Sequence, residues 1–265
     1  MKIAVIGAGN MGGALVRGWA GAENAPRIVV ANPSAAKLEA IRSEYPDVEV
    51  TSDNRRAASD ADVVVIAVKP WLVGGVIEQL RDILLTRTRM LVSVAAGIYP
   101  DALSSMISPD SPLRLPVFYA IPNTPVAVRE GMVFYTAANA SDSDVDSFDS
   151  LARMLGKAIM VTPSQMDAGM AVASCGIAYA MRYIRAAVEG GVELGLRPAQ
   201  AQEAVMQTLR GAVALLEANG DHPEQEIDRV TTPGGYTIRG LNAMEESGFT
   251  AAVIRGLRAS VSKKQ

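Results

Sequence analysis

Histidine and cysteine are almost missing from this chain. Among 265 residues there is one histidine, His222, and one cysteine, Cys175. A single cysteine excludes an intrachain disulfide and a cysteine-built zinc site, and a lone histidine excludes a histidine cluster, so no metal centre is expected. Neither sign of charge is in large excess. The formal net charge is -3, which gives no electrostatic reason to expect nucleic acid or an anionic membrane as partner. Long hydrophobic runs are also missing. The most apolar run, 168–181, lies between Asp167 and Arg182 and falls short of the roughly 20 residues a bilayer span needs. A helix apolar on all sides is usually covered on all sides, so this run is expected in a core or a subunit interface. The N-terminus opens on a strand pattern, with no basic stretch and hydrophobic run of signal type, and a cytoplasmic location is expected.

Hydrophobic residues make up 49% and charged residues 20%, a balance that excludes disorder and allows one large or two smaller cores. Residues 2–6 form a buried-strand run. Gly7-Ala8-Gly9-Asn10-Met11-Gly12 follows, and then a helical pattern with Leu15, Val16 and Trp19 apolar. This is G-x-G-x-x-G in the strand, turn and helix setting that gives it meaning. Gly7 permits the tight turn, Gly9 lets backbone approach a pyrophosphate, and Gly12 lets the helix pack on the strand. Further strand patterns lie at 27–31, 48–51, 63–68, 90–94 and 158–161. Helical patterns separate them at 35–45, 75–85 and 142–155. Strands alternating with helices imply a parallel sheet covered on both faces.

The end of the second strand bears on cofactor choice. A site for NAD usually carries a carboxylate there for the ribose hydroxyl. Here the chain reads Ala31-Asn32-Pro33-Ser34, with Lys37 one turn on. Asn32 and Ser34 donate hydrogen bonds and Lys37 adds a positive charge, so NADPH is the expected cofactor, with NADH the alternative. Ala67-Val68-Lys69-Pro70 follows the fourth strand and 93–98 ends the fifth, both where ligands of such sheets bind.

After Thr162-Pro163 the pattern is helical: 164–194 with a break at Gly190-Gly191, then 198–218, 235–246 and 250–262. The reading is a Rossmann-type doubly wound α/β domain over 1–162, followed by an all-α domain over 163–265 that dimerises. One stretch in the second half stands out, Val-Thr-Thr-Pro-Gly-Gly-Tyr-Thr at 230–237. Thr231 or Thr232 suits an N-cap and Pro233 the first helical position. Gly234 and Gly235 would leave their N–H groups uncovered at a positive helix end, which suits a carboxylate or phosphate. Thr237 would project its hydroxyl toward the same ligand.

These segments together resemble pyrroline-5-carboxylate reductase. The likeness spans the chain and rests on GAGNMGGAL near the N-terminus, AVKP, SVAAGI, IPNTP (121–125), CGIAY (175–179) and VTTPGGYTIRGL (230–241). The last is the most specific, because the family signature there is V-T-S-P-G-G-x-T-I-x-G-L. The resemblance implies hydride transfer from NAD(P)H to the imine carbon of 1-pyrroline-5-carboxylate, giving L-proline. It also implies a homodimer through the C-terminal helices, with dimers that often assemble into decamers. By position, Thr232, Gly234 and Gly235 would hold the substrate carboxylate and Thr237 the ring nitrogen. Lys69, Pro70, Ala95 and Asn123 would border nicotinamide and substrate, and Asn10 and Met11 the pyrophosphate turn. There are departures: Thr232 replaces the signature Ser, Tyr236 fills a position usually small, and S-G-P-A-Y reads Cys175-Gly176-Ile177-Ala178-Tyr179. The Arg three residues before P-N-T-P is Tyr119 here. These leave two other readings open, a reductase of a different cyclic imino acid and a catalytically idle protein that binds NADPH. An imine is readily protonated, so a hydroxyl donor and good positioning suffice and His222 need not be catalytic.

Overall fold

Strand β1 (Lys2–Ile6) buries its side chains on both faces. Ile3 and Val5 enter one apolar cluster and Ala4 and Ile6 another. That is the signature of a strand inside a sheet covered twice, and each buried Ile or Val side chain contributes about 1.5–3 kcal/mol. The computed structural model describes residues 1–110 and 112–261. They fall into two compact units, Met1–Ser174 and Cys175–Gln265.

In the first unit β1 leads into α1 (Asn10–Ala20), β2 (Arg27–Ala31), α2 (Ala35–Glu44), β3 (Glu49–Thr51), α3 (Asn54–Ala58) and β4 (Val63–Ile66). There follow α4 (Val73–Thr86), β5 (Met90–Ser93), α5 (Pro100–Ile107), β6 (Val117–Pro122) and β7 (Gly131–Ala138). Helix α6 (Asp142–Arg153), β8 (Gly156–Met160) and α7 (Met166–Gly169) close the unit. The eight strands lie in the order β3-β2-β1-β4-β5-β6-β7-β8. Pairing is parallel throughout except between β6 and β7. Helices α1, α2 and α6 pack on one face through Leu15, Trp19, Leu38, Ile41, Phe148 and Leu151. Helices α4 and α5 cover the other through Ile77, Leu80, Leu103 and Ile107.

The doubly wound sheet is as the sequence predicts, with two additions. Strands β6 and β7 are absent from the periodicity reading, and their antiparallel pairing makes the sheet mixed. A five-residue turn, Thr124–Val128, reverses the chain between them.

The second unit is helical: α8 (Gly176–Glu193), α9 (Pro198–Asn219), α10 (Pro223–Arg229), α11 (Tyr236–Glu246) and α12 (Phe249–Val261). The expected end of the last helix at Ser262 lies outside the described residues. Two expectations need correction. Gly190 and Gly191 do not break α8, which continues to Glu193. A Cβ on Gly191 would sit 3.1 Å from Cβ of Ala201 on α9, so the small residue serves helix packing. The irregular stretch comes earlier, as a π-helical segment at Met170–Cys175. The apolar run at 168–181 is therefore split. Ala171 and Ala173 are buried, while Tyr179 and Met181 are exposed on the chain alone. Among the described residues, no helix is long and apolar enough to cross a membrane.

Candidate active site

The carboxyl ends of β1, β2, β4, β5 and β6 form one row, because these strands are parallel neighbours. The Gly turn, Asn32, Val68-Lys69-Pro70, Ala95 and Asn123 each follow one of these ends. In open sheets of this kind ligands bind outside the carboxyl ends, at the point where the strand order reverses. Here that point lies between β1 and β4.

The Gly turn is built by steric necessity. Gly7 has φ of 110° and donates its N–H to Ala31 O at 2.8 Å. A Cβ on Gly7 would lie 2.6 Å from Ala67 O, and one on Gly12 would lie 1.9 Å from Gly7 O. Gly9 differs, because a Cβ there would meet nothing within 4 Å. It is the N-cap of α1, which has no side-chain cap and no acidic residue in its first turn. Open space above uncovered N–H groups at a positive helix end fits a pyrophosphate. Asn10 is exposed and Met11 half-buried beside it.

Asn32 is 8% exposed, and its Oδ1 accepts the N–H of Ala8 at 3.0 Å. One amide end thus braces the Gly turn. Ser34 is the N-cap of α2 but makes no capping bond, and that helix has no acidic residue in its first turn. Lys37 is exposed in the same turn. Val68 approaches Gly7, with its Cγ1 3.1 Å from the position a Cβ there would take. Lys69 is exposed, and its carbonyl accepts Leu72 N–H at 2.9 Å to close the turn that begins at Pro70. Ala95 is buried, and its N–H donates to Ser93 Oγ at 3.3 Å.

Asn123 has work within the fold. Its Oδ1 accepts Met132 N–H at 2.8 Å, and its Nδ2 donates to Ala173 O at 3.4 Å. It ties the β6–β7 turn to the π-helical segment. On β6, Tyr119 is a residue to which sequence reasoning assigned no role. Its hydroxyl oxygen accepts the N–H of Gly97 at 3.0 Å. Burial pushes this phenol up, which keeps it protonated.

In the second unit the stretch at 230–237 folds otherwise than expected. Pro233 is not the first helical residue, and neither Thr231 nor Thr232 is the N-cap. Helix α11 starts at Tyr236 with Gly235 as its N-cap. Gly235 N–H is not uncovered, because it donates to Thr232 O at 2.9 Å. With Pro233 second and Gly234 third at φ of 69°, Thr232–Gly235 has the residue pattern of a type II turn. A Cβ on Gly235 would lie 2.5 Å from Thr232 Oγ1, so the hydroxyl sits against the helix start. The open donors are the N–H groups of Tyr236, Thr237 and Ile238, since this helix start has no side-chain cap. Thr237 is exposed. His222 caps α10, its Nδ1 accepting Glu224 N–H at 3.3 Å. Among the described residues, no three His, Cys, Asp or Glu side chains are grouped to hold a metal ion.

Comparison with known proteins settles the lineage. "Pyrroline-5-carboxylate reductase 2" of Dictyostelium discoideum is 33% identical over 279 residues, covering 99% of this chain and 91% of that protein. The chain belongs to the pyrroline-5-carboxylate reductase family. The family's dimerisation domain matches residues 163–265. Residues 2–97 match the domain described as NADP oxidoreductase coenzyme F420-dependent. A Synechocystis pyrroline-5-carboxylate reductase is 32% identical over 268 residues, covering 100% of this chain and 97% of its own. Among solved structures, pyrroline-5-carboxylate reductase from Coxiella burnetii superposes with a TM-score of 0.86 at 31% identity, covering 98% of this chain and 95% of that one. The Plasmodium falciparum pyrroline carboxylate reductase, solved with NADP bound, gives 0.86 at 26% identity over 98% and 95% of the two chains.

Proposed function

We propose that this protein reduces 1-pyrroline-5-carboxylate to L-proline with NADPH, the last step of proline biosynthesis. One observation supports the reading above the others. In a member of this reductase family, the Thr232–Gly235 turn sets the Thr232 and Thr237 hydroxyls at the open N-terminus of α11.

Residues 1–162 hold the cofactor in this reading and 163–265 bind substrate and dimerise. The N–H groups around Gly9, Asn10, Met11 and Gly12 receive the pyrophosphate. The Asn32 amide, Ser34, Lys37 and the uncapped start of α2 receive a 2′-phosphate, which is the basis for preferring NADPH over NADH. Val68, Lys69, Pro70 and Ala95 border the nicotinamide ring. When bound, the reduced nicotinamide supplies a hydride for the imine carbon. Thr232, the Gly234 N–H and the N–H groups that begin α11 hold the substrate carboxylate, with Gly235 kept small so that the hydroxyl fits. Thr237 Oγ1 hydrogen-bonds the ring nitrogen, and Asn123 Nδ2 offers a further donor. No step needs a strong buried acid, since the protonated imine already carries the proton that ends on the product amine.

Dimerisation runs through α8, α11 and α12. Tyr179, Tyr183, Met244, Phe249 and Val253 leave a large apolar surface exposed on the single chain, and such a surface on a helical unit calls for a partner. Assembly to a decamer and a cytoplasmic location complete the reading. The test is direct: purified protein, NADPH and 1-pyrroline-5-carboxylate should consume reduced cofactor and form proline, and no turnover above a heat-killed control contradicts it. Tyr236, 92% exposed beside Thr237, favours a second reading, a reductase of another cyclic imino acid. A panel of imines ranked by kcat/KM separates the two.

A further inference from the structure

The segment joining β5 to α5 carries Ala95 and lies at the rim of the sheet, with Ala96 and Gly97 exposed. It is tied down at four amides. Val94 N–H donates to Ile66 O at 3.0 Å and Ala95 N–H to Ser93 Oγ at 3.3 Å, both near the strand end. Ile98 N–H closes a turn within the segment on Ala95 O at 3.4 Å. The fourth tie is Gly97 N–H to the hydroxyl oxygen of Tyr119, at 3.0 Å. It is the only one of the four that joins the outer half of the segment to another strand.

The phenol that makes this bond is itself fixed. Tyr119 is 2% exposed and stands on β6 opposite Ser93. Its ring packs against Tyr99, with centroids 5.1 Å apart and planes at 58°. Tyr99 in turn donates its hydroxyl to Asp167 Oδ1 at 3.3 Å. Ile121 and Met166 share the same small cluster. Gly97 has φ of 78°, a conformation other residues rarely adopt. A rigid ring rooted in the sheet therefore sets the height of an exposed loop.

We propose that Tyr119 is a positioning residue for hydride transfer, fixing the 95–98 segment against the nicotinamide end of the cofactor through its bond to Gly97. The inference rests on the reductase reading above, in which Ala95 borders that ring. Because Gly97 is exposed, water replaces the phenol oxygen when it is removed. The consequence is a displaced loop and not an unfolded protein, and displacement of about 1 Å is enough to slow a transfer step strongly.

The experiment uses full-length protein and the variant Tyr119→Phe, which keeps the ring stack and removes the acceptor. Three results are expected. The kcat with NADPH and 1-pyrroline-5-carboxylate falls about tenfold or more. Hydrogen exchange across 94–99 accelerates. The Kd for adenosine 2′,5′-bisphosphate, which carries the phosphates but no nicotinamide, stays within about twofold. Unchanged kcat overturns the proposal, as does unchanged exchange or equal weakening of the bisphosphate. A second measurement needs no variant: in the wild-type protein the Gly97 amide should exchange slowly and the Ala96 amide fast, and equal rates overturn the proposal. Wild-type protein inactive on this imine would contradict the reductase reading, whereas the exchange rates judge the Tyr119–Gly97 tie in either case.

Discussion

Asn32 Oδ1 accepts the backbone N–H of Ala8 at 3.0 Å, across 24 positions of sequence. One side chain at the end of β2 thus braces the Gly turn. Asn32→Asp keeps an acceptor for Ala8 and adds a negative charge. A carboxylate about 5 Å from a 2′-phosphate costs on the order of 2–3 kcal/mol at a partly wetted site. The NADPH to NADH ratio of kcat/KM should therefore fall by about tenfold or more. Steady-state kinetics with both cofactors check this, and an unchanged ratio means the phosphate is read elsewhere.

The two glycines at the start of α1 should separate stability from binding. Gly12→Ala drives a methyl group into Gly7 O and should lower stability by about 1–3 kcal/mol. Gly9→Ala has free space around it, so its Tm should stay within about 3 °C while NADPH binding weakens by about tenfold or more. Thermal melts and cofactor titrations distinguish the two; equal losses of Tm would show that Gly9 is structural.

Thr237→Ala should lower kcat by about tenfold to a hundredfold with little change in NADPH affinity, because its bond is made to a nitrogen whose charge changes during the reaction. Single-turnover rates and NADPH binding together test this. Equal turnover would remove Thr237 from the mechanism.

A pH effect should come from the core of the first unit. Tyr135 donates its hydroxyl to Asp149 Oδ1 at 3.0 Å, and burial first, then that bond, push the phenol up to about 12. An unfolded tyrosine ionises near pH 10. The folded state favours the protonated form, so this contribution is complete below about pH 10 and is lost as the pH climbs toward about 12, at most about 2–3 kcal/mol. Urea midpoints across that range should fall for wild type and fall less for Tyr135→Phe.

The apolar face of the second unit should report on assembly. Val253→Glu places a charge among Tyr179, Tyr183 and Phe249 and should lower the mass seen by light scattering at micromolar concentration. An unchanged mass would put the subunit contact elsewhere.

Much of this was legible in the sequence because strand and helix periods are local. Strand β1, the Gly turn and α1 announce themselves within 20 residues. Strand β7 stayed hidden because its burial alternates only in part along Gly131–Ala138. In the second unit Pro233 fits both a first helical position and the second position of a turn. Gly234 decides for the turn, because only its positive φ completes it. The bond from Asn32 to Ala8 and that from Gly97 to Tyr119 had no sequence signal. Each joins residues more than 20 positions apart through one side-chain atom.

The measurement that bears most directly on the whole account is product analysis after mixing the wild-type protein with NADPH and 1-pyrroline-5-carboxylate. The account predicts L-proline formed in equal amount to the cofactor oxidised, with this imine preferred over other cyclic imines. Cofactor that binds without being oxidised by any imine, or oxidation that yields no proline, would contradict it.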